Sequence, residues 1–149
     1  MANTSAICSS FKQELLQGKH SLDTSGNGGD TFKLALFTSS ASLGAATTAY
    51  STSNEVSGSG YSAGGAALTN TGVGLTSTTA FTDFSDVSFT SASFTANGCL
   101  IYNTTTAGGS GTTNAVCAIA FGGDKTVSSG TFTIQFPTND SSSAIIRLT

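Results

Sequence analysis

The sequence is poor in charge, and it contains no tryptophan. Charged residues make up 9% of the 149-residue chain, against roughly 25% in ordinary soluble domains. Five basic residues stand against eight acidic ones, which leaves a formal net charge of −3. Because contact with a nucleic-acid backbone requires many cationic side chains, we do not expect direct nucleic-acid binding.

Long apolar runs are also missing. The longest uninterrupted apolar stretch is at residues 115–121, far short of the roughly 20 residues that span a bilayer. The first ten residues, MANTSAICSS, contain neither Lys nor Arg and no apolar run of signal-peptide length. We therefore expect no membrane segment and no cleaved secretion signal.

Cysteine is scarce and odd in number. Cys8, Cys99 and Cys117 form no Cys-x-x-Cys pair and share no ligand spacing with the only histidine, His20, so neither a disulfide framework nor a zinc site is indicated. Cys99 and Cys117 fall in predicted neighbouring strands, where a bridge is geometrically conceivable. For a protein made in a reducing cytosol, buried free thiols are the expectation.

Polarity comes from hydroxyl groups instead of charges: the chain has 24 Ser and 25 Thr beside 18 Gly. Between residues 34 and 123 the only charged side chains are Glu55, Asp83 and Asp86. Free sheet edges in this stretch therefore lack the Lys residues that discourage sticking. Charge depletion is typical of interface cores, so we expect contacts with other protein subunits. The alternative is a monomer that Ser, Thr and Gly alone keep soluble.

Residues 1–29 predict a short amphipathic helix and a flexible connection. Its apolar face consists of Ile7, Phe11, Leu15 and Leu16. A cap is available at residues 3–5, and Gly18 is a natural end of the helix. Turn-forming residues accumulate at 21–30. The apolar face either docks onto a partner or covers the domain's own sheet.

From residue 31 onward, short alternating segments predict β-strands. Candidate strands lie at residues 32–36, 66–68, 74–81, 85–89, 93–96, 99–102, 116–121, 131–136 and 144–148. The alternation at 131–136 is typical of an antiparallel strand with one solvated face. A change of phase near Thr90 predicts a turn or bulge there and argues against one long strand.

Stretches rich in glycine and hydroxyl groups predict loops at residues 57–65, 104–114 and 122–130. The loop at 104–114 is either a contact arm or disordered. Many short strands with frequent turns predict an all-β protein, an antiparallel, jelly-roll-like β-sandwich with a short N-terminal α-helix. We therefore divide the chain into a helical segment, 1–29, and a sandwich domain, 30–149.

Catalytic chemistry is weakly represented. His20 lies in a polar, flexible stretch, and no Gly-x-Ser-x-Gly nucleophile elbow occurs. Asp83 and Asp86 form the only close acidic pair of the domain body, without a third carboxylate for calcium, so solvated carboxylates at a strand end are the simpler interpretation. We expect a non-enzymatic protein without a cofactor or metal.

Two blocks have glycine spacings that are unlikely to recur by chance, NEVSGSGY at residues 54–61 and FGGDKTVSSG at 121–130. With the segments FTDFSDVSF, NGCLIYN, TFTIQFP and AIIRL in the same order, the chain resembles a family of small virion structural proteins of tailed bacteriophages, seen especially in phages of aquatic bacteria and cyanobacteria. The similarity runs over essentially the full chain.

The resemblance implies a capsid cement (decoration) protein, made in the host bacterial cytoplasm, that binds the outer face of the phage head and bridges capsomers. Implied partners are the major capsid protein and further copies of the chain, with a trimer favoured and a dimer possible. Related proteins also serve as tail and fibre components. The alternative is therefore a tail-associated adhesin that binds host glycans through tyrosines.

The candidate contact residues combine the helix face with two of the three tyrosines. They are Ile7, Phe11, Leu15, Leu16, Tyr61 and Tyr102. Tyr50 completes a set of aromatic rings that could stack against a sugar.

Overall fold

The computed structural model describes residues 2–24, 29–105 and 111–149. The helix is α1 (Ser9–Leu16), and the strands are β1 (Ala6–Ile7), β2 (Phe32–Phe37), β3 (Ala66–Leu68), β4 (Asn70–Thr76), β5 (Thr79–Phe84), β6 (Val87–Asn103), β7 (Ala115–Ile134) and β8 (Ile146–Leu148). They form a five-stranded sheet, in the order β1-β7-β6-β2-β3, and a three-stranded sheet, β4-β5-β8. All named pairings are antiparallel. The expected all-β sandwich with a short N-terminal helix is confirmed.

The long strands β6 and β7 form a ribbon that doubles back on itself. Phe121 and Phe132 are eleven positions apart in β7, which would span roughly 35 Å in a straight strand, yet their ring centroids lie 6.1 Å apart. Where the ribbon bends, Gly98 pairs with Ala120 while Ala96 pairs with Lys125. Four residues of β7 thus lie opposite one residue of β6, which is a large bulge.

The expectation of a loop at residues 122–130 is wrong, because this stretch belongs to β7. Gly122 and Gly123 have φ angles of 73° and 144°, which favour glycine and permit the bulge. Beyond the bulge, β7 pairs again with β6 from Lys125 onward. Glycine therefore bends this strand and does not end it.

The change of phase near Thr90 is confirmed as a bulge. Pairing with β7 shifts between Phe89 and Ala92, and Ser91 has a φ of 49°. The strand nevertheless continues, so the expected division into segments at 85–89, 93–96 and 99–102 is wrong. β6 stays one strand because β7 follows it through each irregularity.

The single strand expected at residues 74–81 is also wrong. The chain reverses at Ser77 and Thr78, where Ser77 has a φ of 53°, and Leu75 pairs with Ala80 in the resulting hairpin of β4 and β5. Tight two-residue turns usually contain Gly, Asn or Asp. A turn built from hydroxyl residues carries no such signal.

The N-terminal segment is built into the domain. Ala6 and Ile7 pair with Ala118 and Cys117 of β7, so the helix begins at Ser9, later than the cap expected at residues 3–5. Within the described residues, no helix has the length and apolarity that a membrane crossing requires.

The helix ends where Gly18 predicts. Gly18 has a φ of 70°, its N–H donates to the Leu15 carbonyl at 3.1 Å, and the Lys19 N–H donates to the Glu14 carbonyl at 2.9 Å. These two bonds form a Schellman motif.

One hydrophobic core includes residues from both predicted segments. Cys8 and Phe11 of the N-terminal segment are fully buried, in the same cluster as Leu34, Leu100 and Ile101 of the strands. The boundary expected at residue 29 therefore does not separate two cores.

All three cysteines are free and buried, as the sequence predicts. Cys99 pairs with Ile119 and Cys117 pairs with Ile101, so the two thiols lie on adjacent strands, two positions out of register. Burial, with the nearby Glu14 carboxylate, raises the pKa of the Cys8 thiol to about 11, and burial raises the pKa of Cys99 and Cys117 as well.

We expect the folded protein to resist thiol labelling, because the reactive thiolate is suppressed and access is blocked. With a coloured disulfide reagent at neutral pH, the native protein should react slowly and the protein in denaturant should release three equivalents quickly. Rapid labelling of any thiol in the folded protein would contradict the burial described here.

Candidate functional site

The helix face that was expected to dock a partner mostly contacts this chain. Phe11 is fully buried and packs against His20, with ring centroids 4.8 Å apart. Ile7 and Leu15 are partly buried against the core, and only Leu16 is freely accessible, at 93% exposure. The expectation that Phe11 contacts a partner is therefore wrong. The helix covers its own domain.

His20 is buried, not part of a flexible polar stretch. Its Nε2 lies 2.6 Å from Oε2 of Glu14, and its Nδ1 lies 2.9 Å from the Nδ2 amide of Asn103. The Asn103 amide also donates to Asp30 at 2.7 Å, while its oxygen accepts the Thr105 N–H at 2.9 Å. This arrangement makes Nδ1 of His20 an acceptor and puts the proton on Nε2, which donates to Glu14.

The polar network around His20 connects three parts of the chain. Besides its bond to His20, Glu14 accepts the Asn114 amide at 2.9 Å, and Asp30 accepts the Ser21 N–H at 2.8 Å. In the part of the chain that the structure describes, no hydroxyl or thiol group bonds to His20. The network therefore fastens the helix to β6 and has no nucleophile of a Ser–His–acid site.

All three tyrosines meet around a single carboxylate. Tyr50 donates to Oε2 of Glu55 at 2.7 Å and Tyr61 donates to Oε1 at 2.6 Å. Tyr102 donates to the Gly64 carbonyl at 2.7 Å, and the Gly64 N–H donates to Glu55, also at 2.7 Å. The rings of Tyr50 and Tyr102 stack with centroids 4.4 Å apart. We call this group the tyrosine cluster.

The tyrosine cluster fastens the loop at residues 38–65 onto the sheet. Tyr61 also accepts the Leu36 N–H of β2 at 2.9 Å. Burial, together with the hydrogen bond to Glu55, raises the pKa of Tyr50 and Tyr61, so both hydroxyls stay protonated and donate. Tyr102 is only 4% exposed, so the expectation that it contacts a partner or a sugar is wrong, since a sugar platform needs accessible ring faces.

The acidic pair of the domain body, Asp83 and Asp86, also accepts hydrogen bonds from backbone N–H groups of this chain. Asp83 is buried, and its two oxygens accept the N–H groups of Phe84 and Ile145 at 2.8 and 3.1 Å. Burial raises the pKa of Asp83. Asp86 accepts the Phe136 N–H at 2.8 Å. Asp83 is thus not the solvated carboxylate that was expected, and no cluster of three or more His, Cys, Asp or Glu side chains able to hold a metal ion occurs among the described residues.

The three-stranded sheet has one face that is buried at one end and uncovered at the other. Its register places Thr82 between Val73 and Ile146, and Ala80 between Leu75 and Leu148. Thr82 and Ile146 are buried.

The next row of side chains is open to solvent. Leu75 is 72% exposed and Leu148 is 57% exposed, while Val73 on the same face is 60% exposed. We call this uncovered part the overhang, which consists of Val73, Leu75, Ala80 and Leu148.

A second apolar surface lies inside the bend of β7. It is a groove of about 470 Å³ with Lys125 as its one cation. Its half-buried apolar lining is Ile119, Phe121, Phe132, Ile134, Phe136 and Ile145. β1 pairs only with Cys117 and Ala118, and within residues 2–24, 29–105 and 111–149 no other strand pairs with this outer edge of β7.

Sequence reasoning missed both surfaces. Val73 and Leu75 alternate with glycine in a way that indicates a strand, but nothing in that pattern says that the face stays uncovered. The groove depends on the ribbon doubling back. The sequence did not indicate this, because the glycine-rich block at 121–130 was interpreted as a loop. Part of the loop expected at 104–114, residues 106–110, lies outside the described residues.

We predict that Tyr61→Phe lowers the free energy of unfolding by about 1–3 kcal/mol, because it removes a donor from Glu55 and leaves the Leu36 N–H without its acceptor. Tyr50→Phe is the matched control, since it removes only one bond to the same carboxylate. Urea denaturation of both variants measures the difference. Equal effects would contradict the role assigned to the Leu36 bond.

No protein-family model, no curated protein and no solved structure matches the chain. The resemblance to phage structural proteins therefore rests on the sequence blocks alone.

Proposed function

We propose that this protein is a non-enzymatic structural component of a phage virion, a capsid cement protein that binds the outer surface of the head and bridges capsomers. One observation carries the proposal: the acidic and aromatic polar groups are used inside the fold, while the uncovered surfaces are apolar and nearly uncharged. Such surfaces suit lasting contact with protein subunits better than turnover of a substrate.

The use of carboxylates inside the fold supports a role without catalysis. Glu55 accepts three hydrogen bonds from this chain and Asp83 accepts two, while Glu14 bonds to His20 and Asn114. Asp124 accepts the Asn97 amide at 2.8 Å, where the ribbon bends. A general acid or base must reach a substrate proton, and these groups already hold neighbouring segments together.

A protein that bridges subunits needs at least two contact surfaces. The overhang and the groove belong to different strands, β4-β5-β8 and β7. The groove combines apolar lining with an unpaired strand edge, which suits an extended segment added as a further strand. We propose that this segment comes from the major capsid protein.

The energetics of a cement protein also agree with these surfaces. Apolar contacts contribute about 25 cal/mol per Å² removed from water, and many copies multiply a modest contact into appreciable shell stability. Contacts between uncharged surfaces depend little on salt.

The tail-adhesin alternative has less support. It needs accessible tyrosines, but the hydroxyl groups of Tyr61 and Tyr102 are bound to Glu55 and Gly64, and Tyr102 is buried. It also predicts a different abundance in the particle.

The copy number in purified particles tests the proposal. We expect on the order of hundreds of copies per virion by quantitative mass spectrometry, because a cement protein follows the repeats of the shell. Tens of copies or fewer would indicate the tail, and absence from particles would reject a virion role.

Substitution in the groove tests the contact with the shell. We predict that Ile134→Asp lowers affinity for particles stripped of the protein by about 10- to 100-fold, since it removes roughly 1.5–3 kcal/mol of apolar burial. Thr131→Asp, on the solvated face of the same strand, is the matched control. Melting temperatures measured alongside separate lost binding from lost folding; undiminished binding of Ile134→Asp would remove the groove from the proposal.

A further inference from the structure

We infer that the overhang is the contact surface between two copies of this chain, packed face to face about a twofold axis. This goes beyond the virion role and stands without it, because it rests on the packing of the three-stranded sheet alone.

The first argument is continuity with the core. Alternate residues of a strand lie on the same face, so Phe84, Thr82 and Ala80 of β5 share one face. Phe84 and Thr82 are buried, and the Phe84 ring packs against Phe32 with centroids 5.6 Å apart. Beyond Thr82, the same face continues through Ala80 to the exposed Leu75 and Leu148, all of them apolar.

The overhang also continues towards the helix. Leu15 and Leu22 line a small cleft together with Val73, Ile146 and Leu148.

The second argument is charge. No member of the overhang is charged, and the neighbouring Arg147 belongs to the opposite face, where it donates to the Ser142 carbonyl at 2.5 Å. Two copies can therefore meet without like-charge repulsion, whereas a charged partner would find no complementary group.

The third argument is area. At their exposed fractions, Val73, Leu75 and Leu148 present roughly 300 Å² of apolar surface. A standard interface buries about 800 Å² per partner, of which roughly 450–500 Å² is apolar. The overhang thus supplies more than half of the apolar area that a stable dimer needs.

The symmetry follows from the surface. A contact in which both copies present the same patch is isologous and closes with two subunits. We therefore expect a dimer, in place of the trimer that the family resemblance favours.

The oligomeric state in solution tests the inference. Light scattering after size exclusion should give twice the monomer mass of 14.8 kDa for the full chain. Leu75→Glu should weaken the dimer by at least about 100-fold and give a monomer, because the twofold axis brings two buried carboxylates into one interface. Thr76→Glu, one position along β4 on the opposite face, is the matched control and should leave the dimer intact.

Folding is checked by circular dichroism and melting temperature. Because Leu75 is 72% exposed, Leu75→Glu should fold; Leu148→Glu provides a second variant at the same row. A wild-type monomer at all concentrations, a trimer, or equal effects of Leu75→Glu and Thr76→Glu would overturn the inference and leave the virion role standing. A dimer that is absent from particles would reject the virion role alone.

Discussion

The pairing of β6 with β7 is the interaction on which the rest of the structure depends. Every other strand of the five-stranded sheet is attached to this ribbon, β1 through β7 and β2 through β6, with β3 following β2. The bend at Gly122 and Gly123 brings the far end of the ribbon back over the near end. Without that bend the groove would not form.

A chain with few charges uses several of its carboxylates to position neighbouring segments. Glu55 accepts hydrogen bonds from two tyrosines and a backbone amide of one loop, and Glu14 bonds to His20 and Asn114. Buried polar groups require such partners, since an unsatisfied group costs about 1–3 kcal/mol. The carboxylates of Glu14 and Glu55 are therefore occupied by contacts within the fold.

The sequence predicts those features that depend on local pattern. Gly18 predicts the end of the helix because the Schellman motif needs a positive φ, and the alternation at 131–136 predicts a half-solvated strand that indeed pairs with β6. Prediction from the sequence fails where contact with a segment distant in the sequence determines the structure. The block at 121–130 has the composition of a loop but becomes a strand because β6 lies beside it. The exposure of Leu75 likewise depends on what packs over its face of the sheet, which the local pattern does not specify.

The pairing of β1 with β7 has a consequence for biosynthesis. Ala6 pairs with Ala118, so β1 cannot pair until the part of β7 around residue 118, far along the sequence, has been synthesised. Such distant contacts slow folding. The pairing of β1 is thus a late event in folding, and the uncharged strands are exposed to aggregation until it occurs.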